Sequence, residues 1–140
     1  MKKNRTEVLF ICTGNYYRSR FCEMYFNHIS QSKMADSKGL LADKGLTEGP
    51  LSVHTIAFLN DLNIPFDLQR FPSQLEEIHL ISTPKVIALC EREHRPLMEE
   101  QYPDWANKIT YWQVNDIDFT EPRLALPELK TRVEQLFQTR

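Results

Sequence analysis

Two rhythms of apolar residues run along this chain. Val8-Leu9-Phe10-Ile11-Cys12 is an unbroken apolar run that ends at a turn, Thr13-Gly14-Asn15. Such a run fits a central parallel strand buried on both faces. Phe21, Cys22, Tyr25, Phe26 and Ile29 then recur on one face of a helix expected over about residues 18–32. A short second strand is expected over residues 35–41 and a loop over residues 45–50. Ser52 is placed to cap a helix carrying Val53, Ile56, Leu59 and Leu62. Residues 63–72 include two prolines and read as loop, and Pro84 leads into Lys85-Val86-Ile87-Ala88-Leu89-Cys90, a second buried strand. Residues 91–100 read as a loop and short helix, residues 109–114 as the last strand, and residues 115–122 as an acidic loop. A final helix is expected from Pro127, with Leu129, Val133, Leu136 and Phe137 on its buried side.

Strands alternating with helices predict an α/β fold with a parallel sheet, helices on both faces and right-handed crossovers. Ligands of such sheets bind beyond the carboxyl ends of the strands. Cys12, Cys90 and the loop holding Asp116 all fall at such ends.

At 140 residues the chain fits one domain, 1–140, and its 41% apolar and 26% charged content is that of an ordinary globular protein. The formal net charge of −2 gives no basic surface for nucleic acid or anionic membrane. No apolar run approaches a membrane span. The basic start at residues 1–5 is followed by too short an apolar stretch for a signal peptide, so a cytoplasmic protein is expected. Three cysteines (Cys12, Cys22, Cys90) make no disulfide framework, and four scattered histidines with no Cys-x-x-Cys pair give a metal site poor support. No metal or cofactor is expected.

The informative segment is Cys12-Thr13-Gly14-Asn15-Tyr16-Tyr17-Arg18-Ser19, between a buried strand and a helix start. Successive backbone N–H groups in such a turn cradle an anion, and the helix dipole adds positive potential. Helix N-termini and a nearby guanidinium also favour thiolate over thiol. Arg18 can hold two phosphoryl oxygens at once, which lysine cannot do in that geometry. Ser19 can donate to the sulfur, and Gly14 is expected to supply a backbone conformation that a side chain would oppose. Thr13, Gly14, Asn15, Tyr16, Tyr17 and Ser19 are the expected substrate-binding residues around a catalytic Cys12 and Arg18. A phosphate or sulfate ion should also bind in this loop.

This segment resembles the signature of the low-molecular-weight protein tyrosine phosphatases, a family that includes protein-arginine phosphatases and arsenate reductases. The likeness extends to the strand ending at Cys90 and the acidic loop before the last helix. It implies a three-layer fold with a four-stranded parallel sheet. It also implies a phosphocysteine intermediate, a phosphorylated protein or small phosphoester as substrate, and an aspartic acid that protonates the leaving group. The family's acid follows the last strand, usually as Asp-Pro. Asp116 matches by position, but Ile117 replaces the proline and Asp118 competes for the role. Tyr17 stands where many relatives carry a second cysteine, a part that Cys22 could take unless it only packs. Glu93-His94-Arg95 either rims the same site or forms a solvated loop. The expected activity is protein-tyrosine phosphatase. The alternatives are a protein-arginine phosphatase, a non-catalytic phosphate-binding module, and an arsenate reductase. The last needs two relay cysteines after the strand end. Cys90 matches the first, and residues 91–96 contain no second. Tyr16 is bulkier than the small threonine expected for a phosphoarginine substrate.

Overall fold

Val8–Cys12 forms β1, and in the computed structural model, which describes residues 6–139, every residue of this strand is buried. The basic start at residues 1–5 lies outside the described residues. Parallel pairing joins β1 to β2 (Ala35–Gly39) on one side and to β3 (Lys85–Ala88) on the other. β4 (Thr110–Tyr111) pairs parallel with β3, so the sheet runs β2-β1-β3-β4. The expected three-layer α/β fold is therefore the fold observed.

The helices are α1 (Arg18–Ser30), α2 (Val53–Asp61), α3 (Glu77–Ser82), α4 (Glu91–Gln101) and α5 (Pro122–Thr139). Side chains alternate across a strand, and β1 follows that rule. Val8, Phe10 and Cys12 join Phe21, Phe26, Leu59, Leu129 and Val133 in a core beneath α1, α2 and α5. Leu9 and Ile11 join Leu40, Leu75, Leu80 and Met98 in a second core on the opposite face. Phe10, Phe21 and Phe26 are wholly buried, and truncating such a ring to alanine costs about 3–5 kcal/mol.

Several boundaries differ from the sequence reading. The last strand is two residues long rather than six. Its pairing nonetheless continues toward the site, because the Trp112 and Val114 N–H groups donate to the carbonyls of Ala88 and Leu89. α4 starts at Glu91, separated from the third strand only by Leu89 and Cys90, so the expected loop before the helix is absent. α5 begins at Pro122 and holds Pro127 in its interior, because Ala125 and Leu126 are also core residues and extend the buried face backward. The short α3 had no counterpart in the sequence pattern. Ser52 caps α2 as expected, its Oγ accepting from the His54 N–H (3.2 Å). Among the described residues, no helix is long and apolar enough to cross a membrane.

Candidate active site

β1 delivers Cys12 to the middle of the sheet's carboxyl edge, and the next five residues turn into α1. Around this loop the carbonyls point away from the sulfur. Cys12 and Thr13 accept from the Leu40 and Leu41 N–H groups, Tyr16 from Ser52 N–H, and Tyr17 from the Thr55 hydroxyl. In a trans peptide the N–H opposes the carbonyl, so the amides following these carbonyls face the other way, into the loop. The Asn15 N–H donates to Cys12 Sγ (3.2 Å), and Ser19 Oγ lies 2.8 Å from the same sulfur. The result is a concave set of donors closed by a nucleophile, of a size to hold a tetrahedral anion.

The residue that takes the left-handed conformation is Asn15 (φ 54°), not Gly14. Asparagine tolerates this region better than other non-glycine residues. At Gly14 a Cβ would stand 3.2 Å from Thr47 Cγ2, a tight contact that the Thr47 side chain would have to yield a few tenths of an ångström to accept. Asn15 is wholly buried, with its side chain holding the loop from behind. Its Nδ2 donates to Ser19 Oγ (2.9 Å) and Ser37 Oγ (2.8 Å), and its Oδ1 accepts from Arg70 Nη1 (2.7 Å) and Ser73 N–H (2.9 Å). Asn15 and Ser19, expected among the substrate contacts, thus brace the loop and the sulfur.

Arg18 is buried, and its guanidinium plane is fixed from outside the loop. Nη1 donates to the Val114 carbonyl (3.0 Å) and Nη2 to Glu93 Oε2 (2.8 Å). Burial opposes its charge, but the Cys12 sulfur, Glu93 and Asp116 outweigh it and hold the guanidinium above its ordinary range. Glu93 Oε2 also accepts from the Thr13 hydroxyl and lies 3.2 Å from His94 Nε2. Burial works against the Glu93 charge. The hydrogen bonds from His94 and Arg18 prevail and keep its carboxyl well below the usual range. His94 is fully buried, and burial lowers its pKa. Its Nδ1 accepts from the Cys90 N–H (3.0 Å), so in the neutral ring the proton stands on Nε2, toward Glu93 and Thr13. Of the Glu93-His94-Arg95 segment, the first two residues support the loop. Arg95 pairs elsewhere, with Glu91 and Asn107.

A cleft of about 700 Å³ opens over Cys12. Thr13, Gly14, Tyr16, Tyr17 and Arg18 line it near the sulfur. One wall comes from residues 45–54, including Leu46 and Val53, and the other from Asp116 and Ile117. Tyr16 ties the first wall to the loop, its hydroxyl donating to the Glu48 carbonyl (2.7 Å). Tyr17 is buried against His54, and its hydroxyl has no hydrogen-bond partner among the described residues. Burial pushes this phenol up to about 12. Asp116 Oδ1 is 3.8 Å from Arg18 Nη2, whereas Asp118 is exposed and does not line the cleft.

Three supports escaped the sequence reading. Gly39, at the end of β2, allows the loop to approach; a Cβ there would lie 2.7 Å from the Thr13 carbonyl oxygen and 3.0 Å from Asn15 N. A glycine closing a strand is a signal that a backbone comes near, and it was available. Arg70 lies in the proline-bounded loop with no local signal at all. The wall at residues 45–54 was read only as a loop and a helix cap. Cys22 is fully buried, and burial first, then the nearby Cys12, pushes its thiol well above the ordinary range; it packs. Cys90 is also buried, 3.3 Å from Gln113 Nε2. Among the described residues, no group of three His, Cys, Asp or Glu side chains could hold a metal ion.

The fold has counterparts among known structures. The low molecular weight protein tyrosine phosphatase from T. tengcongensis superposes with a TM-score of 0.79 at 24% identity, covering 96% of this chain and 99% of that one. SP-PTP, the low molecular weight protein tyrosine phosphatase from Streptococcus pyogenes, gives 0.78 at 22% identity, covering 96% and 92%. The YwlE arginine phosphatase from Geobacillus stearothermophilus gives 0.76 at 26% identity, covering 95% and 91%. No curated protein sequence matches the chain. The family model for low molecular weight phosphotyrosine protein phosphatase matches residues 7–138, nearly all of the sheet, the loop and the helices described above. On that match, the chain belongs to the low molecular weight phosphotyrosine protein phosphatase family.

Proposed function

We propose that the protein is a phosphomonoesterase of the protein-tyrosine-phosphatase type, working through a phosphocysteine on Cys12. The observation that carries this reading is the position of Cys12 Sγ. It is the floor of an inward-facing amide loop, held by Asn15 N–H and Ser19 Oγ beneath an open cleft. In the first step the sulfur attacks phosphorus in line, and the P–S bond forms as the bond to the leaving oxygen breaks. Asp116 gives that oxygen a proton. In the second step the Asp116 carboxylate takes a proton from water, whose oxygen attacks phosphorus and releases the thiolate. Arg18 has N–H groups left over from its bonds to Val114 and Glu93, and these bind the equatorial oxygens as charge builds in the transition state. Ser19 and the Asn15 amide stabilise the sulfur as nucleophile and as leaving group.

The substrate this reading favours is an aryl phosphate such as phosphotyrosine. Tyr16, Leu46, Val53 and Ile117 give the cleft apolar walls on both sides of the approach to Cys12. Phosphoarginine is the competitor to test beside it. The decisive variant is Cys12→Ser, which should abolish turnover of both aryl phosphates and phosphoarginine. Vanadate binding should remain, since the cradle is mostly backbone. A Cys12→Ser protein with wild-type turnover would falsify the mechanism.

A further inference from the structure

The loop that carries Asp116 lacks the proline that would stiffen it, since Ile117 follows the aspartate. Its position must therefore come from contacts. Within the loop, the Phe119 and Thr120 N–H groups donate to the Asp116 carbonyl (2.9 and 3.0 Å), closing one turn. Asn115 Nδ2 reaches Thr120 Oγ1 (3.4 Å) across its base. From outside, one side chain touches the loop on both flanks of the acid. Arg92, exposed on the first turn of α4, donates from Nη2 to Asn115 Oδ1 (3.0 Å), and its guanidinium lies 4.4 Å above the centre of the Phe119 ring. Gln113 completes the frame. Its Oε1 accepts from the Arg92 backbone N–H (3.2 Å), and its Nε2 donates to the same Asn115 Oδ1 (3.1 Å).

We propose that Arg92 is a positioning residue that straps the Asp116 loop to α4 and so sets where the acid stands over Cys12. The proposal rests on the reading of Asp116 as general acid. Arg92 does not line the cleft, so its effect must travel through Asn115 and Phe119. Phe119 is 68% exposed, a large ring to leave on a loop, and the guanidinium stacked on it gives it a local use. Arginine suits this geometry because its planar face stacks on a ring while its edge N–H groups donate elsewhere. Lysine offers a point charge and can serve only one of the two contacts well. A single hydrogen bond and one exposed cation–π contact make a weak strap.

The test combines kinetics on two leaving groups with hydrogen exchange of the loop. Arg92→Gln should lower kcat for phenyl phosphate about tenfold and for nitrophenyl phosphate less than about twofold, with KM nearly unchanged. Arg92→Lys should fall between this variant and the wild type. Placed on Asp116→Asn, Arg92→Gln should add nothing further. Amides of residues 117–120 should exchange faster in Arg92→Gln, as they should in Phe119→Leu. Equal losses for both leaving groups would overturn the proposal, and so would unchanged exchange. A change confined to KM would also overturn it and would mean that Arg92 meets the substrate directly. Exchange needs no turnover, so it reports on the strap even if Asp116 proves not to be the acid. In that case Asp116→Asn would itself show no dependence on the leaving group.

Discussion

Asp116 borders the cleft 3.8 Å from Arg18, while Asp118 is exposed to solvent. A proton donor matters most when the leaving group is a poor one. Asp116→Asn is therefore expected to slow phenyl phosphate far more than nitrophenyl phosphate and to flatten the basic limb of the pH–rate profile. Asp118→Asn should do neither. Steady-state kinetics on the two esters decides between them, and a reversed result would move the acid to Asp118 without disturbing Cys12. Glu93 gives a second residue-scale prediction. Its folded pKa lies below the unfolded value, so its contribution to stability is complete above the unfolded value of about 4.3 and fades as pH falls through the folded one. Glu93→Gln should be less stable than the wild type near neutral pH, and the gap should narrow below about pH 4.3. Urea unfolding across this range would show it; a gap that does not change with pH would mean that the carboxylate charge is not what matters. Cys12, Arg18 and Ser19 were legible in sequence because one turn of chain holds all three. Glu93 was legible only as a possible rim. Arg70 was not legible, because its bond to Asn15 spans 55 positions and leaves no local pattern.

At the scale of elements, the two strongest apolar runs were read correctly as buried parallel strands, and α1 was placed to within two residues of its end. The errors have physical causes. α5 starts early because core contacts at Ala125 and Leu126 outweigh the interior proline. β4 is short because beyond Tyr111 the pairing continues only as separate backbone bonds at Trp112 and Val114, not as a regular ladder. α3 was missed because six residues are too few to show a helical period. The close packing of β2 against the active loop carries its own prediction. Gly39 is held by Ser73 O and Leu75 N on one side, with the Thr13 carbonyl on the other. Overpacking of this kind typically costs about 1–3 kcal/mol. Gly39→Ala should therefore displace the Thr13–Asn15 backbone and reduce turnover at least about tenfold, with helix and strand content retained by circular dichroism. Wild-type turnover in Gly39→Ala would show that the loop can move aside without loss of function.

For the whole molecule, the strand order β2-β1-β3-β4 decides where chemistry can occur. The chain leaves β1 toward one edge and then returns to lay β3 on the other side. Such a reversal opens a crevice at the carboxyl ends of the strands, where the first loop and the segments after β3 and β4 meet. Cys12, the Glu93-His94 pair and Asp116 come from three separate stretches of sequence and converge there. This convergence was expected from the alternation of strands and helices, but the residues that would face one another were not. On the proposed mechanism a phosphoryl group passes through Cys12 at this point. The most direct measurement is acid quenching during turnover of an activated aryl phosphate, followed by mass spectrometry of the peptide that contains Cys12. The wild type should carry one phosphoryl group on Cys12, and Asp116→Asn should accumulate more of it if water attack is slowed more than its formation. Turnover without any phosphoryl group on Cys12, or with the group on another residue, would contradict the account.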